Sequence, residues 1–304
     1  MQQGPSLCGT NGVGGSLTTA PTDGTANLTS VTALTDERDN QTYAIARLAD
    51  NKCWMIENLR LENTATTGAT NAALAQGYNA SFTGLANPES ASFTDSTTAN
   101  SLYSTNGSTE NTISGSYRGY RFPRYNNFNT QQRAENTSNT NANTYSYGNY
   151  YTWAAAIADT TNYNTNNQSV TNTSICPTGW RLPKGGDKSN EANNEFWSLV
   201  VDGINGGTKP ANYDSGTYQY YTGTPEGSDV SAKLRSYPNN FLYSGYFNMS
   251  SAVTRGSSGR YWSSTAYNRS NSYYLSLGSS RVDPGTYYYD KQLGQSIRCT
   301  AIGS

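Results

Sequence analysis

Few residues in this chain could make or break bonds, and their types narrow what the chain can do. It holds four cysteines, Cys8, Cys53, Cys176 and Cys299, and no histidine. Without an imidazole, neither a Ser-His-Asp nor a Cys-His relay can be assembled, and histidine cannot ligate a metal. No two cysteines stand in a C-x-x-C pair, so zinc knuckles and dithiol redox motifs are absent. Cysteines even in number and far apart read as two long-range disulfides, which implies an oxidising compartment. Four cysteines permit 3 connectivities. Cys176–Cys299 with Cys8–Cys53 is the favoured one, against the alternative of four buried thiols in a reducing cell.

The carboxylates offer less. A glycosidase needs two acids flanking its substrate, and Glu57 or Asp202 could serve, yet nothing in their spacing marks a pair and solvated acids are the commoner case. "TDERDNQTY" gathers Asp36, Glu37, Asp39 and Asn40 in one turn, and hard oxygen donors suit calcium. The turn lacks the glycine and distal glutamate of an EF-hand loop, and an Asx-type turn accounts for it equally well. No cofactor is therefore expected, a structural calcium ion in this turn being the one exception to weigh.

The stretch with the strongest binding chemistry is "YNRSNSYYLSLGSSRVDPGTYYYDKQ", Tyr267 to Gln292. Tyrosine offers a large, rigid, amphipathic surface with few rotors to freeze, and Ser, Gly and Asn add adaptable hydrogen bonding, the mixture found in antibody paratopes. Within "YYLSLGSS", Leu275 and Leu277 alternate with Tyr274, Ser276 and Gly278, so the leucines are assigned to the core and the alternate positions to an exposed face. The candidate contacts are Tyr267, Asn268, Arg269, Ser270, Asn271, Tyr274, Ser276, Ser279, Arg281, Asp283, Tyr287, Tyr288, Tyr289 and Asp290. A competing reading stands beside this one. The chain has 25 tyrosines, tyrosine packs well in strands, and such a run also follows from composition alone.

The elements that would position these residues come from a chain of unusual make-up. Of its 304 residues, 34% are hydrophobic and 13% charged, where about 25% charged is typical. Disorder normally combines low hydrophobicity with high net charge and few aromatics; here the net charge is -1 and aromatics reach 12%. A folded, loop-rich, aromatic-anchored β protein is expected. Scattered Lys and Arg residues with no basic stripe argue against nucleic acid as a partner. No stretch approaches the ~20 apolar residues of a membrane span. Behind Met1 the chain is polar, so an exported protein would have its signal or anchor outside this sequence.

Residues 1–30 are Gly/Thr/Ala-rich and read as an irregular arm pinned by Cys8. In "TDERDNQTYAIARLADNKCWMIENLRL", strands through Tyr43 and Ile45 and through Trp54 and Ile56 flank a turn at Asp50-Asn51, a hairpin. Residues 63–144 lose apolar periodicity and read as a polar insertion, whose one aromatic and basic patch is "SYRGYRFPRYNNF". "YGNYYTWAAAIA" reads as a short helix with Tyr151, Ala154, Ala155 and Ala158 on one face. "SNEANNEFWSLVVDG" reads as the clearest helix, capped by Ser189 or Asn190, with Glu191 in its first turn, Gly203 at its close and Ala192, Phe196, Leu199 and Val200 toward the core. Residues 205–240 read as a polar loop. "FLYSGYFN", "RYWSST", "SYYLSL" and "QSIRCTAI" read as closely spaced strands. The expected fold class is α+β, β-rich, with two short helices and long polar loop insertions.

The segments "DNKCWMIENLRL", "YTWAAA", "CPTGWRLP", "EFWSLV", "YWSST" and "SIRC", in this order and spacing, resemble the Fibrobacter succinogenes major paralogous domain, a family of bacterial surface and secreted proteins. The resemblance covers roughly 31–62 and 145–303, and "CPTGWRLP" with a terminal "SIRC" is its most specific part. It implies a C-type lectin-like fold shared with formylglycine-generating enzymes, one domain over 31–304 with the insertion at about 63–144, and an extracellular or cell-surface location. It also supports the Cys176–Cys299 bridge, because that fold ties its last strand to an earlier segment. Related modules are the variable proteins of diversity-generating retroelements, whose C-terminal segment is hypermutated. Adenine-directed mutagenesis of Asn codons yields Asn, Tyr, Ser and Asp often, the types found at Tyr267, Asn268, Ser270, Asn271, Tyr287, Tyr288, Tyr289 and Asp290. The resemblance thus implies a non-enzymatic recognition protein with a protein or glycan ligand. The thiol chemistry of formylglycine-generating enzymes is not carried over, since the cysteines are assigned to bridges, and the Trp-Asn-Asp sugar-site signature of calcium-dependent lectins is absent. A structural or adhesive surface component, and a formylglycine-generating-like or carbohydrate-active enzyme, are the alternatives. Trp54, Trp153, Trp180, Trp197 and Trp262 are assigned to framework packing.

Overall fold

Alternating apolar residues separated by Asp and Asn punctuation give the first sheet its hairpin. Strands β1 (Ala33–Asp36), β2 (Gln41–Arg47) and β3 (Cys53–Met55) run antiparallel, and Tyr43, Ile45, Trp54 and Ile56 are all buried. The computed structural model describes residues 33–36, 41–59, 150–151, 153–157, 174–177, 179–214, 216, 218–248, 252–268, 270–291 and 293–303. The expected arm 1–30 and insertion 63–144 lie outside these residues, as do Glu37, Asp39, Asn40, Arg269 and Gln292. Two further short strands, β4 (Trp180–Arg181) and β11 (Thr300–Ala301), complete a five-stranded sheet of order β1-β2-β3-β11-β4.

A second, four-stranded antiparallel sheet carries the C-terminal third. Its strands are β5 (Tyr221–Thr222), β8 (Ser258–Ala266), β9 (Asn271–Gly278) and β10 (Arg281–Asp290), in the order β5-β10-β9-β8. A small ladder joins β6 (Tyr246–Phe247) to β7 (Ala252–Val253), so only part of the strand expected over "FLYSGYFN" pairs. Register shifts between Trp262 and Ala266 and between Pro284 and Tyr287 mark bulges, which increase local twist and re-aim side chains. The described chain is thus α+β and β-rich.

The helices are shorter than their sequence patterns suggest. Helix α1 spans Trp153–Ala156, and Tyr151 instead bridges to Gln295. The expected continuous helix of 189–203 is broken. A 3-10 segment over Lys188–Asn193 is capped by Asp187, whose side chain accepts from Ser189 N. A new cap at Asn194, accepting from Trp197 N at 3.0 Å, then starts α2 (Glu195–Trp197), which widens into a π-helical stretch over Ser198–Ile204. Phe196, Leu199 and Val200 are buried as expected, but Ala192 lies on the exposed 3-10 segment. A third helix, α3 (Ser228–Arg235), occupies part of the expected polar loop. It buries Val230, Ser231 and Leu234, a one-sided stripe too narrow to stand out in a polar stretch.

Two apolar clusters divide the interior. One surrounds Trp153, Trp180, Trp262, Cys176 and Cys299; the other surrounds Trp54, Phe196, Trp197, Phe241 and Tyr261. All five tryptophans are buried. The Cys176–Cys299 disulfide, with Cα atoms 5.9 Å apart, links the approach to β4 with the approach to β11. Cys53 is also disulfide-bonded, and its expected partner, Cys8, lies outside the described residues. No helix among the described residues is long and apolar enough to cross a membrane.

Candidate binding face on the C-terminal hairpin

Strand β9 is the central partner of β8 and β10, and this decides which of its residues reach solvent. Leu275 and Leu277 join the cluster around Trp54 and Phe196, while Tyr274 joins the opposite cluster around Trp262. Both faces of the strand are covered, so Tyr274 is 4% exposed and not on an open face as its alternation suggested. Ser276 and Gly278 are half-buried.

Asp283 is a second correction. Its carboxylate turns inward to serve the β10 bulge, and it is 1% exposed. Oδ1 accepts from Thr286 N at 2.9 Å, Thr286 Oγ1 at 3.0 Å and Tyr287 N at 3.0 Å. Oδ2 is buried without a hydrogen-bond partner. Burial outweighs the bonds from Thr286 and Tyr287 and the charge of Arg281, pushing the carboxyl up to about 7.

The same bulge is locked from below. Asn194 Nδ2 donates to Pro284 O at 3.1 Å and to Gly186 O at 2.8 Å, so the residue that caps α2 also grips β10. Gly285 adopts φ +81°, and a Cβ there would stand 2.9 Å from Phe196 Cβ and 3.0 Å from Asn194 Oδ1. Only glycine meets both demands.

Beyond the bulge the hairpin pairs tyrosine with tyrosine: Tyr287 opposite Tyr274, Tyr288 opposite Tyr273, then Tyr289 opposite Ser272 and Asp290 opposite Asn271. The β8–β9 loop folds onto this end. Asn268 Oδ1 accepts from Ser270 N at 2.8 Å and Asn271 N at 2.7 Å, an Asx-type turn, and Lys291 N donates to Ser270 O at 2.8 Å. The turn lays the Tyr267 ring on that of Tyr288, with centroids 3.6 Å and planes 7° apart. Tyr273 meets both rings edge-on and donates its hydroxyl to Asp187 Oδ2 at 3.2 Å. Burial and the nearby Asp187 charge push the Tyr273 phenol far up.

Tyr218, which sequence reasoning did not single out, completes this end. Its hydroxyl donates to Tyr288 Oη at 2.8 Å, and its ring meets those of Tyr287 and Tyr288 edge-on. Two devices hold it there. Asn212 Nδ2 donates to Tyr218 O, and Thr286 Oγ1 exchanges bonds with Gln219 N at 3.2 Å and Gln219 O at 2.8 Å. A signal existed in "TYQYY", as Tyr-rich as the segment it joins, but pairing across 70 residues left no local trace.

The structure therefore gathers Tyr267, Asn268, Ser270, Asn271, Tyr287, Tyr288, Tyr289 and Asp290 at one end of the hairpin, all half-buried. Ser276, Ser279 and Arg281 lie near the β9–β10 turn, about 10 Å or more along the strands at ~3.3 Å per residue. There Arg281 is exposed and stacks on Tyr220 at 3.9 Å. Arg269 lies outside the described residues.

The acids weighed for catalysis do framework or surface work. Glu57 Oε2 accepts from Ala44 N at 2.6 Å inside the first sheet, and Asp202 is exposed. Asp36, from the turn weighed for calcium, is 1% exposed, and no group of three or more Cys, Asp and Glu able to hold a metal exists among the described residues. Among the described residues the tightest charge cluster is Glu195, with Arg181 forked on it at 2.5 and 2.7 Å and Lys52 at 2.6 Å. Burial pushes its carboxyl up, but the bonds and charges of Arg181 and Lys52 prevail and hold it at about 2.

Comparison with protein-family models, with curated proteins and with solved structures yields no match to this chain.

Proposed function

We propose that the chain is a non-enzymatic recognition module of C-type lectin-like architecture, displayed outside the cell or on its surface. Its binding face is the aromatic end of the β9–β10 hairpin: Tyr267 and Tyr288, with Tyr218 beside them and Asn268, Ser270, Asn271 and Asp290 around them. The observation that carries the reading is the stack of Tyr267 on Tyr288 at 3.6 Å, half-exposed beside strand β9, which is covered on both faces. Rigid aromatic anchors with adaptable polar neighbours suit recognition at low entropic cost. The cysteines Cys53, Cys176 and Cys299 are held in disulfides, which suits an oxidising compartment and leaves none of the three as a thiolate for formylglycine-type chemistry. Asn, Tyr, Ser and Asp at the gathered positions are the outcomes that adenine-directed diversification of Asn codons favours, so the face is proposed to be a diversified one.

The test is binding of the purified chain to an array of defined cell-surface glycans and proteins, beside a Tyr267→Ala/Tyr288→Ala variant with an unchanged disulfide and unfolding midpoint. Binding lost in the variant is the expected result. Binding retained in the variant moves the site elsewhere. Self-association through the same face, with no array binding, makes the chain an adhesive or structural component instead.

A further inference from the structure

Most cations placed against the fold are answered by acceptors. Arg298, fully buried, donates to Asn58 Oδ1 at 2.5 Å, Met55 O at 3.3 Å, Asn239 O at 3.2 Å and Asn240 O. Arg181 is forked on Glu195. Lys188 and Lys209 meet Asp214 and Glu191. Arg235 and Arg260 are not, among the described residues: Arg235 stacks on Tyr243 at 4.0 Å with Nε buried and unbonded, and Arg260, on β8, lies among three rings rather than one. Its guanidinium lies 3.7 Å from the Tyr246 ring centroid, 4.5 Å from that of Tyr289 and 5.5 Å from that of Tyr274. No carboxylate pairs with it among the described residues, and Nη1 is buried without a hydrogen-bond partner.

A guanidinium held between ring faces keeps its charge and orientation, and Arg260 is half-buried with Nη1 enclosed, so a partner must come to its Nε–Nη2 edge. Stacking satisfies the face of the cation but not its N–H donors, and an unmet buried donor costs free energy. Burial pushes the Tyr246 phenol up, with Arg260 pulling the other way. A string of ring contacts joins this box to the tyrosine face: Tyr288 to Tyr287 at 5.8 Å, Tyr287 to Tyr274 at 6.2 Å, Tyr274 to Tyr289 at 6.0 Å and Tyr289 to Tyr246 at 6.0 Å.

We infer that Arg260, framed by Tyr246, Tyr274 and Tyr289, is a carboxylate-binding site at the end of the tyrosine face. One planar cation matches one carboxylate bidentately, whereas a phosphate dianion calls for more positive charge. No second cation stacks on these three rings among the described residues. The inference rests on the recognition reading for its use in biology, since it names the acidic group of the ligand, but the site can be measured alone.

The measurement follows the arginine Nε resonances of the full ¹⁵N-labelled chain by NMR. Arg260→Lys identifies the resonance by its loss, and Tyr246→Leu identifies it by a selective shift should the first variant not fold. The probes are N-acetylglutamate, N-acetylglutamine, glucuronate and inorganic phosphate. The expected result is a saturable shift of Arg260 with N-acetylglutamate or glucuronate, with Kd on the order of 1 mM, none with N-acetylglutamine, and several-fold weaker binding in Tyr246→Leu. Which of the two carboxylates binds more tightly separates an acidic peptide from an acidic sugar. No saturation with either, or saturation with phosphate alone, overturns the site. A flat titration in a chain whose array binding still depends on Tyr267 and Tyr288 removes this site and leaves the face standing. A saturable titration in a chain that binds nothing on the array does the reverse.

Discussion

Tyr267 and Tyr288 lie ring on ring at 3.6 Å, while Tyr273 meets each of them edge-on, at 78° and 83°. Aromatic pairs left to themselves favour offset or edge-to-face geometry over a close parallel stack. The parallel pair is therefore imposed by its surroundings. The Asn268 turn sets the height of Tyr267, and the Tyr218 hydroxyl and the Tyr273 edge fix Tyr288. The hairpin holds its tyrosines in place before any ligand arrives, which lowers the entropy that binding must overcome.

A double-mutant cycle of Tyr267→Ala and Tyr288→Ala is expected to show a coupling of about 0.5–1.5 kcal/mol in urea unfolding. Tyr288→Phe keeps the stack and loses the bond to Tyr218, so it should cost about 1 kcal/mol or less. A coupling of zero would show that the rings do not stack in solution.

Glu195, on α2, ties together β4 and the approach to β3 through Arg181, Lys184 N and Lys52. Its carboxyl falls from 4.5 to about 2 on folding, so it contributes stability above pH 4.5 that is lost as pH falls toward 2. Glu195→Gln leaves the half-buried Arg181 and Lys52 against a neutral partner and should cost about 2–4 kcal/mol at neutral pH. Urea midpoints at pH 7 and pH 3 check this. The gap between variant and wild type must shrink at the lower pH, and an equal gap at both rules the charge out as the cause.

Asp283 works in the opposite sense. Folding raises its carboxyl from 3.8 to about 7, so the folded chain binds the extra proton and loses stability as pH rises from about 4 to 7. The two acids together place the stability maximum near pH 4–5, where Glu195 is ionised and Asp283 is not. Asp283→Asn keeps an acceptor for Thr286 and Tyr287 and removes the buried charge. It should be the more stable chain at pH 8, by a few kcal/mol, and about equal to wild type at pH 4. An Asn variant less stable than wild type at pH 8 contradicts this assignment.

Cys176 and Cys299 close a loop across 123 residues and sit in the core beside Trp153, Trp180 and Trp262. Loop-closure entropy gives such a bridge about 5 kcal/mol, and native bridges typically deliver 2–5. Cys176→Ala/Cys299→Ala should therefore lower the unfolding free energy by that amount, read from urea unfolding without reductant. Wild type in reductant loses the bridge at Cys53 as well, so it should be no more stable than the variant. A variant as stable as oxidised wild type would leave the bridge without a structural role.

These relationships were unevenly legible in the chain. The β2–β3 hairpin could be read because Tyr43, Ile45, Trp54 and Ile56 alternate around Asp50-Asn51, a purely local pattern. Leu275 and Leu277 were read correctly for the same reason. Tyr274 was not, because alternation assumes one open face and β9 has none once β8, β10 and both clusters enclose it. Asp283 reads as solvent-facing by type, and only the bulge it serves turns it inward. Helix α3 carries just Val230 and Leu234 as apolar anchors, below what periodicity detects. Tyr218 and Arg260 reach the face through pairings that no local spacing encodes.

Gly285 is the point where the framework and the face depend on one residue. At φ +81° an alanine is strained, and its Cβ would press on Phe196 and Asn194, the side chains that cap α2 and fill the core beneath β10. The strain and the contact together should cost about 1–3 kcal/mol. The loss should not stop at stability, because Pro284 O is held by Asn194 and the bulge aims Tyr287 and Tyr288. Gly285→Ala is expected to lower the urea midpoint and to raise amide exchange from Thr286 to Tyr289 above that of β8. Faster exchange spread evenly over both sheets would mean that Gly285 serves global stability alone and that the bulge does not aim the face.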